Sequence, residues 1–445
     1  MNGVHPTFWI ETWGCQTNEA DSSSVARLLE GLGYRAAESA VAADVILLNT
    51  CCVRAKPEQK VYSRLGELRR IKEQSPETVI AVAGCMAQKE GERLRCRAPQ
   101  VDLVIGTQQL HRLPELIMVA RRTRRPQVEV SLNGTRAQPR ADWLASAPWR
   151  RQPLKALINI MQGCTNYCSY CIVPSVRGPE RSRRSEEIVC EVQTLAAGGC
   201  REVTLLGQNV LAYGRDLGGS SDFVSLLELL EEIPALERIR FTTTHPRDVD
   251  EWTIEAIARL PKVCEHIHMP LQAGDDDLLR AMGRGYTAAH YLALVGRVRA
   301  AISGVSITSD LIVGFPGETD KQFERSLEAY RQVRFDQAFM FAYSPREGTR
   351  AASLPGQLPA VLKQERLARL IALQNEISTE INHGWVGRVE PVLVEGPSEH
   401  NPDRFCGRTR NNKLVMFAGD ESLIGQVVPT KLVSAHLWGW EGERA

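Results

Sequence analysis

The stretch "GCTNYCSYC", residues 163–171, sets Cys164, Cys168 and Cys171 in a C-x3-C-x2-C arrangement. A disulfide takes two sulfurs and a structural zinc usually takes four ligands, so three thiols on one loop suit a metal centre left one ligand short. On a four-iron cluster that open iron can bind a small molecule through its amine and carboxylate. A zinc site completed by a distant fourth ligand is the structural alternative. A second set is dispersed. Cys15 ends "FWIETWGC", Cys51 ends "VILLNTC" and Cys85 ends "VIAVAGC", with spacings of 36 and 34 residues. Each segment reads as a strand, and the carboxyl edge of an open α/β sheet is where loops converge and ligands bind, so thiols remote in sequence can meet there. For any one of them, a small residue at a tight turn is the simpler reading. At "NTCCV" the adjacent Cys52 competes with Cys51 for one place.

The elements that must position these thiols fall into three regions. Residues 4–122 repeat strand, loop and amphipathic helix, as in "ADVILLNTCCVRAKPEQKVYSRLGELRR", which implies a parallel α/β domain. Residues 123–152 interrupt the pattern as an Arg-rich linker. From 121 to 151 there are eight arginines against Glu129 and Asp142, a composition suited to meeting phosphates or to a solvated connector. Over 153–383 six further strand segments alternate with helices: "PLKALINIMQGC", "EVTLLGQN", "RIRFTTTHP", "EHIHMPLQ", "VSITSDLIVGF" and "FDQAFMFAYSP". Six βα units predict a partial (β/α)6 barrel whose working residues follow the strands. Polar residues do follow them: Gln208, Asn209, His245, Gln272 and Asp310. Residues 384–445, with short strands and the basic turn "GRTRNN", predict a small closed OB-like β-barrel of a nucleic-acid-binding type.

Lys and Arg number 54 against 53 Asp and Glu, so attraction to nucleic acid must come from local clusters rather than a global field. "VRGPERSRR" supplies Arg177, Arg181, Arg183 and Arg184, and "GRTRNN" supplies Arg408 and Arg410. Guanidinium groups suit phosphates and stacked bases, and chemistry on a base generally requires the nucleotide to be extruded. The bland reading of "VRGPERSRR" is a solvated loop. No basic start precedes a long apolar core and no run approaches a membrane span, so a soluble, cytoplasmic protein is expected. Twelve cysteines among α/β elements then favour metal or redox chemistry over a disulfide framework. Cys52, Cys96, Cys190, Cys200, Cys264 and Cys406 are assigned to packing.

The C-x3-C-x2-C motif, with Tyr170 directly before its last Cys, resembles the radical S-adenosylmethionine (SAM) superfamily. Together with the flanking regions, "TWGCQTNEADS", "GCMAQKEGERL", "LLGQNVLAYG", "TTTHPRD" and "SDLIVGFPGET" resemble its methylthiotransferase family over nearly the whole chain, the terminal barrel corresponding to a TRAM domain. The resemblance implies two [4Fe-4S] clusters, one on Cys164, Cys168 and Cys171 that binds SAM, and one on Cys15, Cys51 and Cys85 that carries the sulfur to be delivered. Cys51 aligns with the family ligand. The resemblance also implies two SAM molecules per reaction, one donating a methyl group and one generating the radical. Tyr170, Gln208, Asn209, His245, Gln272 and Asp310 become candidates for holding the cofactor, and the six arginines candidates for RNA. The branch most resembled acts on N6-isopentenyladenosine, adenosine 37 next to the anticodon, so the expected partners are a tRNA anticodon stem-loop, an electron donor such as flavodoxin or ferredoxin, and sulfur and cluster supply proteins. Related branches act on threonylcarbamoyl-adenosine or a ribosomal protein. A non-catalytic iron–sulfur RNA-binding protein conflicts with the polar sets after the barrel strands. No catalytic His or carboxylate pair is assigned.

Overall fold

The computed structural model describes residues 5–52, 55–132, 153–218, 222–399 and 401–445. Strands β1 (Thr7–Trp13), β2 (Arg35–Ala36), β3 (Val45–Thr50), β4 (Val79–Gly84), β5 (Leu103–Ile105) and β6 (Gln127–Glu129) form one parallel sheet in the order β2-β1-β3-β4-β5-β6. The central strands β3 and β4 are buried along their whole length, as expected where helices cover both faces. Strand β6 pairs with β5, so the sheet continues past residue 122 into the stretch expected to be linker. Residues 133–152 of that stretch lie outside the described residues.

The central region contributes β7 (Lys155–Asn159), a short hairpin of β8 (Met161–Gln162) with β9 (Arg181–Ser182), and then β10 (Glu202–Leu206), β11 (Arg238–Thr242), β12 (His266–His268), β13 (Ser306–Val313) and β14 (Gln337–Ala342). Parallel pairing gives two three-stranded sheets, β7-β10-β11 and β12-β13-β14, joined by a bridge between Ile239 and Val263. This is the expected set of six βα units, curled but not closed. One large apolar core lies between these strands and their outer helices.

The last region is a closed barrel of β15 (Val389–Pro397), β16 (Phe405–Arg408), β17 (Leu414–Phe417), β18 (Val427–His436) and β19 (Gly439–Arg444), in the order β15-β16-β17-β19-β18. It is docked through buried polar groups. Arg238 donates to the carbonyls of Arg408 and Pro391 at 2.7 and 2.8 Å, and Arg240 to those of Arg410 and Thr409 at 2.7 and 2.8 Å. Lys413 pairs with Asp336 at 2.8 Å, both buried. Among the described residues no helix is long and apolar enough to cross a membrane.

Candidate metal and nucleotide site

At the carboxyl edge of the first sheet, Cys15, Cys51 and Cys85 follow the ends of β1, β3 and β4. Two glycines permit the approach. Gly84 has φ +90°, and a Cβ there would lie 2.3 Å from the carbonyl oxygen of Thr50; a Cβ on Gly14 would lie 2.4 Å from Asn18 Oδ1. Cys15 caps the helix Gln16–Gly31, and its Sγ lies 3.4 Å from Asn18 Oδ1. Asn18 in turn donates to Asn49 Oδ1 at 3.0 Å, and Asn49 donates to the carbonyl of Asn18 and to Ser22. These buried amides fix the strand ends. The three thiols interact: hydrogen bonding with Cys51 pulls Cys15 down to about 5, and hydrogen bonds with Cys51 and then Cys52 hold Cys85 well below the usual thiol range.

Beside them lies Arg177, 3% exposed. Its Nη2 meets Asp21 Oδ2 at 3.0 Å, and Asn159 donates to the other oxygen of Asp21 at 2.9 Å. Burial opposes the charge of Arg177, but Cys85, Asp21 and Cys15 outweigh burial and hold its pKa above the ordinary value. Arg177, expected at RNA, therefore faces thiols and a carboxylate. Asp21, Asn18 and Asn49 were not anticipated from the sequence, although "TNEADS" and "NTC" carry them.

The second thiol group sits on the loop between β8 and the helix Val173–Arg177. Gly163, φ +85°, turns the chain where a Cβ would strike the carbonyl oxygen of Pro179 at 2.0 Å. The loop is tied to the barrel: Gly163 donates to Gln208 Oε1 at 2.5 Å, Ser169 donates through its N and Oγ to the carbonyls of Met282 and Ala281 at 2.9 and 2.8 Å, and Ala351 donates to the Ser169 carbonyl at 2.8 Å. Arg284, 4% exposed, places Nη1 3.4 Å from Cys168 Sγ and donates Nη2 to the Pro270 carbonyl at 2.9 Å. Here burial dominates the thiols. It raises Cys164 and pushes Cys171 up to about 12.

Among the described residues no three His, Cys, Asp or Glu side chains are drawn together tightly enough for a single metal ion. A four-iron cube holds its thiolates at separate corners and needs no such convergence. Two all-cysteine donor sets, each beside a buried arginine that offsets negative charge, fit iron–sulfur ligation.

The expected cofactor contacts divide. Gln208 spends its Oε1 on Gly163, and Asn209 spends both ends of its amide, donating to Asp248 at 2.7 Å and accepting from the His245 N–H at 3.1 Å. Both are supports for the loop and the strand ends. His245 is 4% exposed, its Nδ1 accepts from the N–H of Arg247 at 3.2 Å, and its Nε2 has no partner. Burial and then Arg284 lower it to about 3, so the ring is neutral and presents Nε2–H. Its ring meets Tyr286 edge to face at 5.7 Å, and Tyr286 lies under Arg284. Gln272, also buried and with φ +71°, carries an unpartnered Oε1. Tyr170 packs half-buried against the cluster of Ala273, Leu279 and Phe315. Asp310 stands apart from the thiol loop in its contacts, 3.5 Å from His268 Nε2.

The arginines also divide. Arg183 pairs with Glu191 at 2.7 Å, Arg410 grips Glu265 at 2.8 Å, and Arg408 donates to the carbonyl of Asn412 at 3.1 Å. Arg410 and the backbone of the "GRTRNN" turn dock one domain on another, which places them at an interface rather than on an open RNA-facing surface. Arg181 is half-buried in β9, and Arg184 is exposed at the start of the helix Ser185–Ala197.

One segment joins the two thiol groups. After Cys171, Ile172 and Val176 insert into the core of the first domain, Thr107 Oγ1 donates to the Val176 carbonyl at 2.6 Å, and Gln108 donates to that of Arg177 at 2.9 Å. Six residues of mostly helical chain, on the order of 10 Å, thus run from one thiol group to the guanidinium of the other.

Residues 7–106 match the uncharacterized protein family UPF0004, 158–330 the radical SAM superfamily and 385–441 the TRAM domain. The chain is 50% identical over 446 residues to a tRNA-2-methylthio-N(6)-dimethylallyladenosine synthase of Moorella thermoacetica, covering 100% of this chain and 99% of that protein. It is 49% identical to the protein of that name from Syntrophomonas wolfei, covering 98% and 96% of the two chains. Among solved structures it resembles TsrM of Kitasatospora setae, a radical S-adenosylmethionine methyltransferase with cobalamin and a [4Fe-4S] cluster bound, with a TM-score of 0.57 at 14% identity, covering 78% of this chain and 77% of that one.

Proposed function

The chain belongs to the family of tRNA-2-methylthio-N(6)-dimethylallyladenosine synthases, radical SAM enzymes with a TRAM domain, and on that premise we propose that it attaches a methylthio group to C2 of N6-isopentenyladenosine, adenosine 37 of tRNA. A [4Fe-4S] cluster and SAM belong to the chemistry of its superfamily. We assign that cluster to Cys164, Cys168 and Cys171, and a second, sulfur-supplying [4Fe-4S] cluster to Cys15, Cys51 and Cys85, with two SAM used per product. The observation that carries the assignment is the segment 171–177, which ends one thiol set and delivers Arg177 to the other.

When bound, cluster and SAM supply the one-electron chemistry that opens a C2–H bond which is neither acidic nor attached to a leaving group. The chain's own residues position and shield. Arg284 holds Cys168 against the barrel, Tyr286 donates to the carbonyls of Pro270 and Leu271, and the neutral His245 offers an N–H without adding charge beside Arg284. Arg177 keeps a positive charge against Cys15 and Cys85. A flavodoxin or ferredoxin as electron donor, sulfur and cluster supply proteins, and a cytoplasmic setting complete the reading.

The test is nucleoside mass spectrometry after anaerobic reaction with SAM and reductant. An isopentenylated anticodon stem-loop is expected to gain a methylthio group at least tenfold faster than the unmodified stem-loop, a threonylcarbamoyl version or the ribosomal protein, in line with roughly 1 to 3 kcal/mol per missing apolar group. Equal or faster reaction of any of those three overturns the substrate.

A further inference from the structure

We infer that Asp310 and Phe339 form the pocket that reads the N6 edge of the adenine, with Asp310 as a specificity-determining residue for RNA rather than a holder of SAM; the inference rests on the substrate proposed above. Alternation along the strands settles which side chains face inward. Ile307, Leu311 and Val313 of β13 belong to the core under the outer helices, and Ala338 and Met340 of β14 pack against it. Asp310 and Phe339 therefore project from the opposite, lumen face, and they are direct neighbours in register. Both contact His268 there, Asp310 at 3.5 Å and Phe339 ring to ring at 6.1 Å.

Phe339 is 58% exposed although it lies on a barrel strand, and β14 is the free edge of its sheet, so the ring borders the open side of the partial barrel. Gln272 bridges to Leu311, the neighbour of Asp310: its N donates to the Asp310 carbonyl at 2.9 Å and its carbonyl accepts from Ile312 at 3.0 Å. A carboxylate in register with an exposed aromatic ring matches the edge of a purine that donates through N6–H and carries an apolar branch.

The carboxylate also selects against an alternative. A threonylcarbamoyl group brings its own carboxylate to N6, and a like charge beside Asp310 is repelled, while the exposed ring of Phe339 offers apolar surface that an isopentenyl group fills. Attraction and repulsion thus act on the same edge of the base.

The experiment measures, on the full-length reconstituted enzyme, stem-loop affinity by anisotropy, methylthiolation, and 5′-deoxyadenosine release without RNA. Asp310→Asn should lower methylthiolation of the isopentenylated stem-loop about tenfold and shrink its affinity advantage over the threonylcarbamoyl stem-loop at least fivefold. Phe339→Ala should weaken binding of the isopentenylated stem-loop about tenfold and leave the unmodified one within twofold. RNA-free release of 5′-deoxyadenosine should stay within twofold for both. A comparable fall in RNA-free release by Asp310→Asn, or an unchanged affinity ratio, overturns the inference. Failure of the wild type to prefer the isopentenylated stem-loop would instead overturn the substrate reading beneath it.

Discussion

Cys15, Cys51 and Cys85 come from three separate strands of one sheet, whereas Cys164, Cys168 and Cys171 share a single loop. In the first group the geometry belongs to a parallel sheet, fixed by Gly84, Asn18 and Asn49, and hydrogen bonding with Cys51 lowers the pKa of Cys15 and Cys85. In the second the loop borrows its shape from the barrel through Gln208, Met282, Ala281 and Ala351, and burial keeps Cys164 and Cys171 above the ordinary thiol pKa. Thiolate is the ligand form, so the hydrogen bonding in the first group favours it at Cys15 and Cys85, whereas burial opposes it at Cys164 and Cys171. The two groups thus differ in what holds them: one is set by the strand ends of its own sheet, the other by contacts with a neighbouring barrel.

The largest expected effect separates the two groups. Replacing Cys164, Cys168 and Cys171 with Ala should abolish 5′-deoxyadenosine release, whereas replacing Cys15, Cys51 and Cys85 should preserve release and abolish methylthio transfer. Anaerobic analysis should find about eight irons per wild-type chain and about four in either triple variant. About four in the wild type would break the comparison at its root.

The next effect concerns the two buried arginines. Truncating Arg177 alone leaves Asp21 buried without its cation, which costs about 3–5 kcal/mol of stability. Asp21→Leu with Arg177→Met removes both charges, so the fold should survive while the first cluster loses its counter-charge. Iron retention by that site should then fall about ten- to a hundredfold under chelator challenge, with 5′-deoxyadenosine release intact. Arg284→Gln should do the reverse, impairing release first, because its Nη1 lies at Cys168. Equal effects of both changes on both readouts would show that the two sites are not electrostatically independent.

Legibility followed the range of the forces involved. Strand ends and the thiol loop could be read because hydrophobic runs and Gly-Cys pairs are local, and all six barrel strands stand where those runs occur. The inward turn of Arg177 is not legible because its partner Asp21 lies 156 residues away, and nothing in "VRGPERSRR" separates that arginine from Arg184, which stays exposed. The same holds for Arg410, since Glu265 lies 145 residues from it. Strand β6 is hidden within the Arg-rich stretch because three half-buried residues leave no periodic signal. Asn209 reads as a ligand contact by position, yet packing aims its amide at Asp248 and the backbone of His245.

The smallest effect falls on Cys52 and sharpens the boundary of the first thiol group. Cys51 follows β3 directly and its N–H donates to the carbonyl of Trp13 at 3.0 Å, which keeps it in line with the strand ends that carry Cys15 and Cys85. Cys52 is fully buried among Ile46, Leu48, Val61 and Ile80, and although it hydrogen-bonds Cys85 it lies within the apolar core rather than at its rim. A core thiol acts as a small hydrophobe, so Cys52→Ala should keep about eight irons and activity within threefold. Cys52→Ser places a hydroxyl in that core and should cost roughly 1–3 kcal/mol of stability without removing a cluster. Cys51→Ser should lose methylthio transfer while retaining 5′-deoxyadenosine release. If Cys52→Ser lost the first cluster and Cys51→Ser kept it, the ligand would be the buried thiol, and the strand-end alignment that defines this group would fail at its middle member.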